Sequence, residues 1–320
     1  MQKALITGGA GLAGQALLRS APDDVEVCAT WRNSPLETVD GNGDRLAGSV
    51  QVDLCQPDYV AAVFDEFLPD VVIHTAYSQS SESDIVGATT NVASNCARLG
   101  SRLIHLSSDC VFGGEMGPYS EIGLDDNPLA SPFAIPTTTA RPTGDPPSQA
   151  RVVDPPVDDY GRWKATVEGV ARGMVSDCTL VRTSLLMGLE PVDPRTAAVI
   201  DGLKAGHEVR LFVDELRCPV SVDEFAGALW RLAGMNRRAA AGVWHLAGTE
   251  AVSRYSLGLL IATTWGLDPS RIIPSLQRDH PKPRARDVRL SIGRAQEELR
   301  FQPSTMAELF TQWSSNERTS

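Results

Sequence analysis

Lysine is almost missing from this chain of 320 residues. Only Lys3, Lys164, Lys204 and Lys282 occur among its 29 cations, and the rest are arginines. Positive charge as a whole is also short. Against 40 acids the formal net charge is −11, which excludes a general affinity for nucleic acid or an anionic membrane. The six cysteines (Cys28, Cys55, Cys96, Cys110, Cys178, Cys218) stand singly, with no CxxC and no Cys/His cluster, so neither structural zinc nor a disulfide framework is supported. No apolar run approaches the roughly 18 residues of a membrane span, and the N-terminus enters an apolar strand without a signal-peptide pattern. These absences point to a protein of the reducing cytoplasm. What is present suits a soluble α/β chain of about two domains, or one large unit with an appended lobe: 42% hydrophobic and 22% charged residues. One window runs against the overall sign. Residues 271–300 hold eight basic residues and four acidic ones, a cationic segment better matched to a small anion than to a polyanion.

The first half alternates short β-branched runs with helical stretches. Strands are expected at Ala4–Ile6, Val25–Thr30, Val50–Val52, Val71–Thr75 and Arg102–Ser107, and helices at Gln15–Arg19, Pro57–Phe67 and Thr89–Leu99. That alternation implies a mostly parallel sheet covered on both faces. Residues 128–156 break the pattern with 8 of the 21 prolines, and read as an irregular insertion, either filler or an active-site lid. A helix is expected over Gly161–Val175 and a strand over Thr179–Leu186. Beyond these, Ser221 with Glu224 and Thr305 with Glu308 have capping-box spacing, Val243–Leu246 reads as a strand, and Tyr255–Trp265 as a helix stopped by Gly266.

Three motifs carry chemistry. Thr7-Gly8-Gly9-Ala10-Gly11-Leu12-Ala13-Gly14 lies between the first strand and first helix, with Gly8, Gly11 and Gly14 in GxxGxxG spacing. Such a turn lets the backbone approach a diphosphate and aims a helix N-terminus at it, so a dinucleotide site is expected there. At the end of the second strand Arg32 stands where an acid would bind the ribose of NAD(H), which favours the 2′-phosphate of NADP(H) while NAD(H) stays open. Asp53-Leu54 closes the third strand, where Asp53 meets the adenine amine or caps the next helix. Thr75, Ala76 and Tyr77 close the fourth strand, on the nicotinamide side. The second motif is Tyr160-Gly161-Arg162-Trp163-Lys164. With five tyrosines and four lysines, a Tyr-x3-Lys pair arises by chance about 0.06 times, and i, i+4 positions share a helix face. A lysine ammonium there lowers a phenol pKa and fits the phenol to proton transfer. The third is Ser107-Ser108-Asp109 at the carboxyl end of the fifth strand, where a hydroxyl can steady a substrate carbonyl oxygen. No metal site is expected. Asp125-Asp126 reads better as a polar turn.

With these residues in place the chain resembles the extended short-chain dehydrogenase/reductases, and within them the dTDP-4-dehydrorhamnose reductase family. His105-Leu106-Ser107-Ser108-Asp109-Cys110-Val111-Phe112 is similar to that family's S-T-D-Y-V-F stretch, Tyr160-Gly161-x-x-Lys164 to Y-G-x-x-K, and Val181-Arg182-Thr183-Ser184 to its R-T-S strand. Asp214-Glu215-Leu216-Arg217-Cys218-Pro219 resembles D-Q-x-G-x-P, Gly242–Leu246 resembles G-x-Y-H-L, and Arg289-Leu290-Ser291 the late R-L-[ND] site. Departures fall on the sugar side: Arg217 for glycine, Cys110 for an aromatic, Arg284-Ala285-Arg286-Asp287 for R-P-x-N, and the insertion before Tyr160. The resemblance implies a Rossmann-type doubly wound parallel sheet over residues 1–190 and a smaller substrate-binding lobe over 191–320, with elements at about 220–250 returning to the sheet. It also implies NADPH-dependent reduction of a nucleotide-linked 4-keto-6-deoxy sugar. Tyr160 is then the general acid, Lys164 its activator and ribose ligand, Ser108 the carbonyl ligand, and Arg217, Arg284, Arg286 and Arg289 the holders of the sugar-nucleotide. The implied partner is that small molecule, with neither nucleic acid nor membrane, and a homodimer is compatible. A cofactor-binding regulatory subunit, like that of methionine adenosyltransferase, and a nucleotide-sugar epimerase are the alternatives.

Overall fold

The computed structural model describes residues 1–36, 46–78, 80–121 and 154–317. Residues 128–153 of the proline-rich stretch and the Asp125-Asp126 turn therefore lie outside the described residues. The chain runs β1 (Gln2–Thr7), α1 (Leu12–Arg19), β2 (Val25–Trp31), β3 (Leu46–Gln51), α2 (Pro57–Phe67), β4 (Val71–His74), α3 (Ala88–Leu99), β5 (Arg102–Ser108), α4 (Asp159–Met174) and β6 (Thr179–Thr183). It continues with β7 (Leu186–Met187), α5 (Pro194–Lys204), β8 (Val209–Phe212), β9 (Leu216–Arg217), β10 (Val220–Ser221), α6 (Val222–Gly234), β11 (Gly242–Leu246), β12 (Val252–Ser253), α7 (Arg254–Thr264), β13 (Ile272–Ser275), α8 (Gly293–Glu298) and α9 (Met306–Glu317).

Seven strands form one parallel sheet in the order β11-β6-β5-β4-β1-β2-β3. Successive residues of a strand point to opposite faces, and both faces are apolar here. Ala4, Ile6, Val71, Ile73, Ile104, Val181 and Trp244 pack toward α1 and α6. Leu5, Val72, Leu103, Leu180 and Val243 pack toward α2, α3 and α4. This two-sided burial is why the strands read as continuous apolar runs. The order in which strands are added reverses between β1 and β4, the switch point outside whose carboxyl ends ligands of such sheets bind. Helix α6 is tied to α1 by Trp230 Nε1 donating to the Leu17 carbonyl at 3.0 Å. The terminal carbonyls of α6 accept from Arg102 of β5, closest at Leu232 with 2.6 Å. A third apolar cluster, among α5, α7, α9 and β13, builds the lobe beyond the sheet around Leu257, Ile261, Phe310 and Trp313.

Two local expectations change. The strand expected over Thr179–Leu186 stops at Thr183, and Leu186–Met187 pairs instead with β10 in a separate small sheet. Ser184, at the break, turns its hydroxyl to Asp109 (2.7 Å). The Ser221–Glu224 capping box does not form. Ser221 makes no side-chain cap, and Glu224 accepts from the amide and hydroxyl of Ser304 at 2.9 and 2.6 Å. The identical spacing at Thr305 and Glu308 does close as a reciprocal box, with bonds of 2.8 and 3.2 Å.

Candidate active site

The glycine turn is built for close approach. Gly8 has φ +73°, and a Cβ there would lie 2.8 Å from the Ala76 Cα. A Cβ on Gly14 would lie 2.3 Å from the Gly8 carbonyl oxygen, so helix α1 can start this near β1 only without one. Gly11 caps α1 from the backbone alone, with no side-chain bond to the first turn and no acid within it, leaving the helix's amino end open to an anion. Leu12 and Ala13 open the helix and are half-buried. Thr75 donates to the Thr7 carbonyl at 2.6 Å, joining the carboxyl ends of β1 and β4 beneath Ala76 and Tyr77. A Gly14→Ala variant is expected to lose roughly 1–3 kcal/mol of stability, because a backbone carbonyl cannot yield as a side chain can. A thermal melt that matches the parent would refute this.

Beside the glycine turn, just past β2, Arg32 is not idle. Its guanidinium pairs with Asp84 at 3.0 Å and lies 4.0 Å from Asp53. Asp53 accepts from the Cys55 amide at 3.0 Å, a local turn rather than a cap of α2, and the Leu54 carbonyl accepts from Asn91 at 2.9 Å.

The proton-transfer group forms between β5 and α4. Asp158 caps α4 through the Gly161 amide (2.8 Å), and Gly161 fits because a Cβ there would lie 2.2 Å from the Cys110 carbonyl oxygen. This contact sets Tyr160, one residue earlier, beside the loop that carries Ser108. Ser108 donates to Asp109 at 3.2 Å and accepts from the Cys110 amide at 3.2 Å. Tyr77 meets Tyr160 edge-on, at 6.4 Å between ring centroids.

Lys164 lies one turn further along α4, buried. It donates to the Leu106 carbonyl at 3.0 Å, with its ammonium 5.7 Å from the Tyr77 ring centre. Burial lowers its pKa to about 8 despite the Glu168 carboxylate. The expected lowering of the tyrosine pKa is therefore corrected. Burial raises the Tyr160 phenol well above its usual value, nearby Cys110, Tyr77 and Asp109 add to this, and only the Ser108 hydroxyl opposes it. The phenol is fully protonated at neutral pH, the state a proton donor requires.

Beneath the site, burial and the Lys164 charge hold His74 (pushed down to about 3) and His105 neutral. His74 bridges Thr7 (2.6 Å) and Thr89 (3.1 Å).

From Ser108 a chain of charges leads into the lobe. Asp109, 3% exposed, faces Arg217 at 3.7 Å, and Arg217 pairs with Glu215 at 3.2 Å. Glu215, 2% exposed, also takes a two-pronged pair from Arg284 at 2.7 and 3.1 Å. Burial alone would raise the Glu215 carboxyl, but the Arg284 bonds and the charges of Arg217, Arg284 and Arg254 hold it below 4.5.

The cationic segment is thus largely paired. Arg217 is buried, and its remaining nitrogen donates to the Leu216 and Ala285 carbonyls. It reaches Ser108 through Asp109 and has no free prong for a ligand. Arg289 grips Asp287 at 2.7 and 2.6 Å. Arg286, with its side chain 61% exposed, has only Asp214, at 3.8 Å, among the described residues.

Sequence reasoning missed Asp109, Glu215 and Arg254. Asp109 and Glu215 were visible inside their motifs but carried no charge pattern that marked them. Arg254 opens α7 and makes no side-chain hydrogen bond or close ion pair among the described residues. Burial lowers its pKa to about 10, with Arg195, Arg217 and Arg284 adding to the effect and Glu215 opposing it. It lines a narrow pocket with Arg195, Leu186, Met187 and Leu257. Of the neighbouring charges, that of Glu215 acts on Arg254 most strongly, and Asp193 shares the pocket wall.

A parallel sheet of Rossmann topology, a glycine turn at its switch point and a Ser/Tyr/Lys group beside it define an NAD(P)-dependent oxidoreductase of the extended short-chain type. The comparisons narrow the class. The family model for the RmlD substrate binding domain matches residues 2–131 and 144–315, and the chain belongs to that family. It is 30% identical over 233 residues to the dTDP-4-dehydrorhamnose reductase of Mycobacterium tuberculosis, covering 68% of this chain and 66% of that one. It is 26% identical over 290 residues to methionine adenosyltransferase 2 subunit beta of Mus musculus, covering 85% and 75%. Its fold matches the dTDP-4-dehydrorhamnose reductase of Bacillus anthracis, solved in complex with NADP, with a TM-score of 0.73 at 17% identity over 98% of each chain. No helix among the described residues is long and apolar enough to cross a membrane.

Proposed function

We propose that the protein is an NADPH-dependent reductase of a nucleotide-linked 4-keto-6-deoxy sugar. The observation that carries this reading is the convergence of Ser108, Tyr160 and Lys164 at the carboxyl ends of the strands, beside a glycine turn whose missing Cβ atoms leave a cradle. Gly8–Gly14 and the amino end of α1 would hold the dinucleotide's diphosphate, and Arg32, Asp53 and Leu54 would line its adenosine end. Bound NADPH supplies the hydride. Ser108 donates a hydrogen bond to the sugar carbonyl oxygen as negative charge develops on it, and Tyr160 transfers its proton to that oxygen. Lys164 holds the nicotinamide ribose, with Thr75, Ala76 and Tyr77 as the wall. In the 191–320 lobe, Arg254, Arg195 and the exposed Arg286 hold the nucleotide diphosphate, while Arg284 and Arg217 frame it through Glu215.

Steady oxidation of NADPH on mixing with a freshly made nucleotide-4-keto-6-deoxy sugar supports the reading. Product formed without net oxidation indicates an epimerase. The similarity to the methionine adenosyltransferase subunit keeps one rival, a cofactor-binding regulatory chain. It is favoured by no turnover together with co-purification of a partner. For Arg254→Ala, KM for the sugar-nucleotide is expected to rise roughly tenfold to a hundredfold with kcat little changed, since a diphosphate contact serves ground and transition states alike. An unchanged KM would remove Arg254 from the site.

A further inference from the structure

The rim where the adenosine ribose would lie holds a cation that is already occupied. Arg32 follows β2 directly, next to the glycine turn, where the Gly9 amide donates to the Thr30 carbonyl at 2.7 Å. Its guanidinium donates to an Asp84 oxygen at 3.0 Å, and Asp53 stands 4.0 Å away. The three side chains are 42%, 21% and 42% exposed, so Asp84 is the most enclosed of them. Asp84 is also fixed from behind. Its backbone amide donates to the Ser81 hydroxyl at 3.2 Å, which fixes the main chain, and its second carboxylate oxygen accepts from the Cys55 thiol at 3.6 Å. Burial and the neighbouring carboxylates push that thiol up to about 11, so it stays a donor across the physiological range.

An arginine at this place with no counter-ion separates a ribose 2′-phosphate from a 2′-hydroxyl by a full charge–charge interaction. Here a doubly charged phosphate must draw Arg32 off a held carboxylate, and that competition weakens its hold. A 2′-hydroxyl meets no such cost, and a carboxylate beside it can accept its hydrogen bond. We propose that Asp84 sets the cofactor preference of this chain, competing with the 2′-phosphate for Arg32 so that NADPH and NADH are both bound with modest discrimination. The proposal rests on the reading that Arg32 faces the 2′-position.

The test is a double-mutant cycle on cofactor affinity, read by titration calorimetry with NADPH and NADH as the probes and no sugar present. Asp84→Asn keeps the shape of the side chain and removes its charge. It is expected to tighten NADPH about tenfold, or roughly 1.4 kcal/mol, and to leave NADH within about twofold. Arg32→Ala is expected to weaken NADPH and spare NADH. Added to Arg32→Ala, the Asp84→Asn change is expected to give no further gain.

If Arg32→Ala leaves NADPH affinity unchanged, the placement of Arg32 falls and the proposal with it. If Arg32→Ala weakens NADPH but Asp84→Asn does not improve it, the placement stands and the role of Asp84 is overturned. A change at Asp84 that moves both cofactors alike, or that persists without Arg32, also overturns it.

Discussion

Tyr160→Phe is expected to lower kcat by roughly 10²–10⁴-fold, the usual range for loss of a positioned proton donor, while NADPH affinity and the melting temperature stay near those of the parent. The change removes only the hydroxyl. The ring keeps its edge contact with Tyr77, and α4 keeps its Asp158 cap and the close Gly161–Cys110 packing that sets its height. The hydroxyl sits in surroundings that favour its protonated form, with burial the main cause. The alkoxide formed by hydride addition would then lose its nearest proton source, although Ser108 would still steady the carbonyl oxygen. Stopped-flow measurement of NADPH oxidation at saturating sugar-nucleotide separates the cases. A variant that turns over at the parent's rate assigns the proton to another group, and a variant that fails to bind NADPH shows that the phenol holds the cofactor instead.

The sheet and the two segments that carry the candidate site were legible because their signals are local. Apolar runs buried on both faces, a glycine triplet between strand and helix, and a tyrosine four residues before a lysine each lie within a few residues. Charge pairing was not legible, because its partners are remote. Arg32 meets Asp84 across 52 positions and Arg284 meets Glu215 across 69, so a cationic window of sequence became mostly neutralised in space. Arg286 likewise faces Asp214, an acid from outside that window.

The two capping motifs make the same point. Thr305 and Glu308 close on one another. Glu224, with identical spacing, is taken by Ser304, which is 80 positions away in sequence. The tyrosine pKa was misjudged for a related reason. Helix spacing puts Lys164 on the face of Tyr160, but the sheet beneath offers the Leu106 carbonyl and a dry environment, and burial outweighs the neighbouring charge.

Glu215→Ala should be among the most damaging single changes in the lobe. The carboxylate is the counter-ion of buried Arg217 and the two-pronged partner of Arg284, and it moderates Arg254 as well. Its removal leaves Arg217 with Asp109, at 3.7 Å, as its one paired carboxylate among the described residues, and puts several guanidinium groups together without their shared anion. Removing one partner of a buried pair costs about 3 kcal/mol or more, and in a chain of this size that is a fall in Tm of roughly 5–10 °C.

The pH dependence has a fixed sign. The folded carboxyl titrates below its usual 4.5, so its contribution is complete above that value and is lost as pH falls through the lower folded pKa. The parent is therefore expected to lose stability across that acid interval, and Glu215→Gln to show a flatter profile there. Activity should fall with stability only in part. Arg284 keeps its place over the Phe212 ring, at 5.8 Å, while the Asp109–Arg217 link to Ser108 loosens, so kcat should suffer more than NADPH binding. Melting curves between neutral and acid pH, run with NADPH titrations on the same samples, check both parts. An Ala variant as stable as the parent would show that Glu215 is not the keystone of the arginine cluster.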